Sequence, residues 1–149
     1  MYTSILVPVD GSEFSEKAVK EAARLAQALG SKLLLFYAAP HYHLLPLTEG
    51  LSPGNRPEEK AMARKEMEDW AKSLLAEAAR KANLADGKVE QHFVMSDSPY
   101  EAILLIAKKF KCDLIVMASH GRRGVSGVLL GSETQKVLTH SKVPVLVVR

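Results

Sequence analysis

A single cysteine, Cys112, stands in a chain of 149 residues, which excludes an intramolecular disulfide and any metal site built on clustered thiolates. Next to a predicted strand and without a local base, it reads as a small semi-buried residue rather than a reactive thiol. No apolar run approaches the roughly 20 residues that span a bilayer. The opening Met1-Tyr2-Thr3-Ser4-Ile5-Leu6-Val7 lacks the basic segment and cleavage site of a signal peptide, so the expectation is a cytoplasmic chain. Basic residues form no block beyond Arg122-Arg123, which argues against a nucleic-acid surface. The string G-x-x-x-x-G-K-[ST] is absent and no G-x-G-x-x-G follows the first apolar run, so neither a P-loop lysine nor a dinucleotide fingerprint is present. No Ser-His-Asp or Cys-His constellation can be assembled. The adjacency of Ser119 and His120 does not make one, no neighbouring carboxylate orients His120 as a base, and no catalytic residue is assigned.

What remains is an ordinary globular composition: 47% hydrophobic, 25% charged, and a mean hydropathy of −0.03. Twenty basic residues against 17 acidic ones give a net charge of +3, spread over the predicted helices. The length suits one domain over residues 1–149.

The stretch Asp113 to Thr134, D-L-I-V-M-A-S-H-G-R-R-G-V-S-G-V-L-L-G-S-E-T, organises the rest. Leu114 to Met117 is a short apolar run of the kind buried on both faces of a parallel sheet. Gly121, Gly124 and Gly127 follow at three-residue intervals, a pattern that permits left-handed backbone and close approach to a ligand. Gly131-Ser132 then opens a helix, with Ser132 read as cap and Gln135 completing a capping box. Strand, glycine loop and helix start together make an anion site, and phosphate is the anion suggested.

Ile5 to Val9 reads as the first strand, ended by Asp10-Gly11, with Ser12 capping a helix whose apolar positions are Ala18, Ala22, Leu25, Ala26 and Leu29 and whose stop is Gly30. Asp10 falls at the carboxyl end of that strand, where doubly wound sheets bind ligands; Asp-Gly is also common turn chemistry. Lys32 to Ala39 is a second buried strand. The segment Pro40 to Pro57 has no usable periodicity and is expected to be a flexible loop or lid. Its His41 and His43, without a nearby carboxylate or third ligand, leave any metal site unassigned. Glu58 to Asn83 is a long helix with an inward stripe of Met67, Trp70, Ala71, Leu74, Ala78 and Ala82. Val89 to Met95 alternates as a strand near an edge. Ser98 caps, and Pro99 starts, a helix buried through Ala102, Ile103, Ile106, Ala107 and Phe110. The last helix turns Val137 and Leu138 inward, and Val143 to Arg149, with Pro144 near its start, is an edge strand open to pairing with a second copy. Strands alternating with helices imply one doubly wound parallel sheet covered on both faces, a Rossmann-like α/β fold.

Two strings are similar to a known family. Val7 to Ser12, V-P-V-D-G-S, resembles the N-terminal signature of the universal stress proteins. Ala118, Gly121, Gly131 and Ser132 match that family's nucleotide motif, G-x-x-G, nine residues, G-[S/T], with Arg122 to Leu130 as the nine and Ala118 in place of the first glycine. A methyl there crowds a ribose or phosphate if the backbone takes positive φ. The resemblance implies a five-stranded sheet of order 3-2-1-4-5, which sets Asp10 beside the Ala118 turn. It implies ATP as ligand, with Mg²⁺ as an open question, and a homodimer through Val143 to Arg149. Carried over by position, Pro8, Asp10 and Tyr37 meet the adenosine end, Ser119, His120, Gly121, Arg122, Arg123 and Gly124 the ribose and inner phosphates, and Gly131, Ser132, Glu133 and Thr134 the outer phosphates, with Val9, Met117 and Ala118 counted in the same nucleotide site. The reading is an ATP-binding regulatory protein of the stress response, with at most slow hydrolysis. A nucleotide-independent dimeric interaction module and a related adenine-nucleotide hydrolase stay open as alternatives.

Overall fold

The computed structural model describes residues 1–41, 57–121 and 129–149. Its elements are β1 (Ser4–Pro8), α1 (Glu13–Leu29), β2 (Lys32–Ala39), α2 (Pro57–Ala82), β3 (Val89–Met95), α3 (Pro99–Lys109), β4 (Leu114–Ala118), α4 (Ser132–His140) and β5 (Val145–Val148). The strands form one parallel sheet in the order β3-β2-β1-β4-β5. The alternation of strand and helix accounts for a parallel sheet covered on both faces, because each parallel pair needs a crossover and each crossover lays a helix on a face; the strand order is the one the family resemblance implies.

The side-chain period of a strand splits the core in two. Ile5, Val7, Leu33, Leu35, Leu114 and Val116 face α1 and α2, whereas Leu6, Leu34, Phe36, Ile115 and Met117 face α3 and α4. Central strands covered on both sides therefore read as continuous apolar runs. β3 and β5, at the two ends of the order, are only partly buried. Helix α1 starts as expected, with Ser12 Oγ accepting from the Ser15 amide at 3.1 Å, and stops on Gly30 in left-handed backbone at φ 70°.

Five sequence expectations need correction. In α2 the buried line runs through Met67, Ala71, Leu75 and Ala82, while Trp70 is 44% exposed; positions 70 and 74 lie on the flank of a stripe centred one residue later. In α3 Ser98 makes no side-chain cap bond, and the Tyr100 amide donates instead to Glu133 Oε2 of α4 at 2.8 Å. In α4 Ser132 is the first helical residue and Gly131 the cap, so the capping box does not form; Gln135 Nε2 donates to the Leu130 carbonyl at 2.7 Å. Val137 is fully buried as expected, but Leu138 is 41% exposed. β5 is the shorter Val145–Val148, an end strand as expected, with Pro144 outside it.

Candidate functional site

The carboxyl ends of β1 and β4 lie side by side where the strand order reverses direction, the switch point at which open α/β sheets hold ligands. From β1 comes Asp10. Its Oδ1 accepts from the Ser12 amide at 2.9 Å, and Gly11 between them takes φ 79°. That turn needs a residue without a Cβ and aims the carboxylate across the sheet edge.

From β4 comes Ala118, paired with Val148 of β5 and packed with Val9 and Ala18 in the core beneath α1. Its backbone is ordinary strand, since the non-glycine residues with positive φ among those described are Asn83 and Lys111. The methyl that replaces the motif glycine thus lies in the core. Ser119 follows, its amide donating to the Val148 carbonyl at 2.8 Å, and its own carbonyl accepts from the Gly131 amide at 2.7 Å. Thr134, 3% exposed, donates its hydroxyl to the Ala118 carbonyl at 2.9 Å. These bonds seat the start of α4 on the end of β4. They also occupy the Gly131 amide and the Thr134 hydroxyl; the amides that begin the first turn of α4 have no acceptor within the helix.

Gly121 closes the arrangement. A Cβ at that position would stand 2.8 Å from Asp10 Oδ2. Gly121 is not among the described glycines with positive φ, which are Gly11, Gly30 and Gly87; its role is space for the carboxylate and not left-handed backbone, contrary to the expectation from its spacing. Gly131 is similarly tight, where a Cβ would lie 3.3 Å from the Ser119 carbonyl and 3.4 Å from His120 Cα.

Of the remaining candidates, Pro8 ends β1 and Val9 follows it, its amide donating to the Phe36 carbonyl at 2.8 Å. Tyr37 and Met117 are 7% and 6% exposed and belong to the cores on opposite faces of the sheet. Ser132 and Glu133 begin α4, and the Glu133 carboxylate is turned to α3. Arg122, Arg123 and Gly124, the spacing glycine Gly127, His43 and most of the expected 40–57 loop lie outside the described residues.

Several features had no local signal in the sequence. His120 places Nδ1 3.0 Å from Ser119 Oγ and packs its ring on Phe14 at 5.5 Å between centroids. His41, read as lacking a carboxylate, has one: Asp97 Oδ1 accepts from the His41 amide at 3.0 Å and Oδ2 lies 2.9 Å from Nδ1. The amide bond first, and the imidazole second, hold Asp97 below the usual carboxylate range against partial desolvation. One histidine and one carboxylate do not make a metal site, and among the described residues no group of three His, Cys, Asp or Glu side chains is placed to hold an ion. Cys112 is buried, and burial pushes its thiol up, as an inert residue requires. A recess of about 260 Å³ opens between α1 and α2, touching Val9, Gly11 and Ser12. It adjoins the Asp10 turn from behind but does not include Gly121 or Ser132, so the chemistry of the switch point lies outside it. No helix among the described residues is long and apolar enough to cross a membrane.

Comparison with known proteins agrees with this fold. The model of the universal stress protein family matches residues 1–149. A Thermus aquaticus protein described as a universal stress protein in the QAH/OAS sulfhydrylase 3′ region is 34% identical, with all of both chains covered. Universal stress protein MJ0577 of Methanocaldococcus jannaschii is 30% identical over all of this chain and 96% of its own. A solved structure of MJ0577 superposes with a TM-score of 0.79 at 27% identity, covering 99% of this chain and 96% of that one. A universal stress protein solved in complex with cAMP has a TM-score of 0.68 at 28% identity, over 99% and 97% of the two chains.

Proposed function

The chain belongs to the universal stress protein family, and from that premise we propose that it is a cytoplasmic regulatory protein of the stress response that binds an adenine nucleotide, ATP by preference, as a conformational ligand. The observation that carries the reading is the meeting of Asp10, Gly121 and the start of α4 at one sheet edge. Asp10 supplies a carboxylate for the sugar or base, Gly121 lets the chain pass close to it, and the amides of Ser132 and Glu133 at the α4 dipole receive phosphate. The described residues fit such a ligand without any metal cluster of their own, so Mg²⁺ would arrive with the nucleotide. A related protein solved with cAMP supports an adenine-nucleotide ligand for this fold. Hydrolysis is at most slow, because the sequence has no P-loop lysine and no acid-base pair converges on the phosphate positions among the described residues. The protein is a homodimer through β5.

Titration calorimetry of nucleotide-stripped protein with ATP, ADP and AMP, beside mass spectrometry of what copurifies, tests the reading. One adenine nucleotide bound per chain is expected. Absence of binding to all three overturns it and leaves the nucleotide-independent interaction module, the reading that the internally bonded Gly131 amide and Thr134 hydroxyl favour.

A further inference from the structure

We infer that the chain holds a second ligand site at the amino end of the sheet, opposite the Asp10 edge, where Lys32, Lys88 and Lys111 take a small organic anion bearing two or more phosphate or carboxylate groups. The site shares no residue with the nucleotide reading and stands or falls apart from it.

The recess follows from the length of one helix. On its face of the sheet α3 shares a core with Leu34 and Phe36 through Ala102, Ile103 and Ile106. It follows β3 and so starts beside the carboxyl edge. Its 11 residues run about 16 Å, whereas the eight residues of β2 span about 26 Å. The amino ends of β1, β2 and β3 on that face are therefore left uncovered, and Phe110 at the end of α3 walls a recess of about 470 Å³. Ligand pockets are commonly of this size.

Three separate connections each deliver a lysine to it. Lys32 opens β2 after α1, Lys88 precedes β3 after α2, and Lys111 precedes β4 after α3. Against them stands one lining carboxylate, Glu90, whose Oε1 lies 4.0 Å from Lys32 Nζ. Lys88 Nζ donates one hydrogen to the Gly30 carbonyl at 3.2 Å and keeps two. No carboxylate bridges Lys88 or Lys111 among the described residues, and that of Asp113 is turned to the Thr3 and Ser4 amides at 2.8 and 3.0 Å. Positive charge is thus left without a protein counterion inside a recess, where its attraction to an anion exceeds that in open water.

Lys111 supplies a second observation. Helices α1, α2 and α3 each end on left-handed backbone, at Gly30 with φ 70°, Asn83 with φ 49° and Lys111 with φ 53°. Glycine and asparagine accept that conformation at least cost, and lysine does not. A lysine after a helix also offsets the dipole, but Lys108 and Lys109 already do so from the last turn of α3. What position 111 adds is an ammonium on the wall of the recess.

Titration with citrate and, separately, with pyrophosphate at constant ionic strength, followed by ¹H–¹⁵N correlation spectra, tests the site. Saturable shifts are expected at the amides of Lys32, Lys88, Glu90 and Lys111, with dissociation constants on the order of 0.1–1 mM; the tighter probe tells carboxylate from phosphate. Lys111→Gly weakens both about tenfold without lowering the urea midpoint, since glycine relieves the left-handed strain. Glu90→Gln, which removes the repelling charge, tightens both about threefold. Opposite signs in two folded variants are not what a loss of structure gives. Shifts that stay linear and match those of sodium sulfate overturn the inference, as does unchanged binding in Lys111→Gly, or shifts confined to Gly121 and Ser132. A chain that binds ATP but neither probe at the lysines loses this site and keeps the nucleotide reading; one that binds the probes there and no nucleotide does the reverse.

Discussion

Gly121 and Asp10 occupy adjoining space across the β1–β4 boundary, with the Asp10 Oδ2 atom 2.8 Å from where a side chain at position 121 would begin. Atoms do not approach so closely without one giving way, and Asp10 has little room to give, because its Oδ1 is tied to the Ser12 amide at 2.9 Å. The glycine is a requirement of the carboxylate as it is placed.

Gly121→Ala is therefore expected to push Asp10 out of position. Nucleotide affinity falls about tenfold or more, and overpacking costs about 1–2 kcal/mol of stability. Calorimetry and a chemical melt of the same variant measure both effects. Equal affinity in the two proteins would mean that this juxtaposition is structural only.

Ala118→Gly tests the departure from the motif. Because the methyl packs with the core beneath α1 and the backbone is ordinary strand, removing it does not enlarge the ligand site. Affinity should stay within about threefold, while stability drops by about 1 kcal/mol from lost packing and added chain freedom. A gain in affinity of tenfold or more would place the methyl against the ligand instead.

How much of this was legible in the sequence depended on whether the signal was local. β2 and β3 run over Lys32–Ala39 and Val89–Met95, the bounds read from apolar runs and alternation, because a strand buried on both faces or one has a pattern written in its own residues. Asp10 was legible for the same reason, as the first polar residue after such a run. The start of α4 was not. The S-x-x-Q string from Ser132 to Gln135 satisfies the capping pattern, yet the Gly131 amide is drawn to the Ser119 carbonyl at 2.7 Å, and that tertiary bond makes Gly131 the cap and Ser132 the first helical residue. Leu75 and Trp70 exchanged roles because both lie within the apolar arc of α2, and only packing against the sheet decides which position is its centre. The Glu133–Tyr100 and His41–Asp97 contacts join residues 33 and 56 positions apart, a separation over which propensity carries no information.

Glu133 binds two helices together, accepting from the Tyr100 amide at the start of α3 and from Lys136 Nζ at 2.8 Å. Glu133→Ala leaves the α3 start uncapped and should cost about 1 kcal/mol. Hydrogen exchange at Tyr100 should accelerate more than at the middle of α3. Glu133→Gln, which keeps an acceptor oxygen but not the charge, should recover part of the loss. An unchanged Tyr100 exchange rate in Glu133→Ala would show that α3 does not depend on this cap.

Glu16 of α1 accepts from Lys20 at 2.8 Å and from Lys81 of α2 at 2.6 Å. Hydrogen bonding to Lys20 first and Lys81 second lowers its carboxyl from 4.5 to about 2. A folded value below the unfolded one means that the contribution is complete above pH 4.5 and is lost as pH falls toward 2. Glu16→Gln should flatten the fall of stability across that window and leave the pH dependence near neutrality unchanged, as urea melts at a series of pH values would show. Parallel acid limbs in the two proteins would remove Glu16 from the account of acid stability.

β5 ends the sheet, pairing with β4 on one side, and Leu146 within it and Leu138 on α4 are 39% and 41% exposed. An end strand of β-branched and apolar residues is a template for a further strand, and Pro144 just before it limits pairing to the stretch that follows. A second copy offers the same strand, so twofold pairing would cover both edges at once. A charge at the centre of that edge opposes its own image across the twofold, which makes Leu146→Asp the sharpest test. The parent protein should elute as a dimer by light scattering at micromolar concentration, and Leu146→Asp as a monomer that still melts cooperatively, since a side chain 39% exposed contributes little to the core. A monomeric parent, or a variant that stays dimeric, would mean that β5 is not the contact and that the two leucines serve another surface.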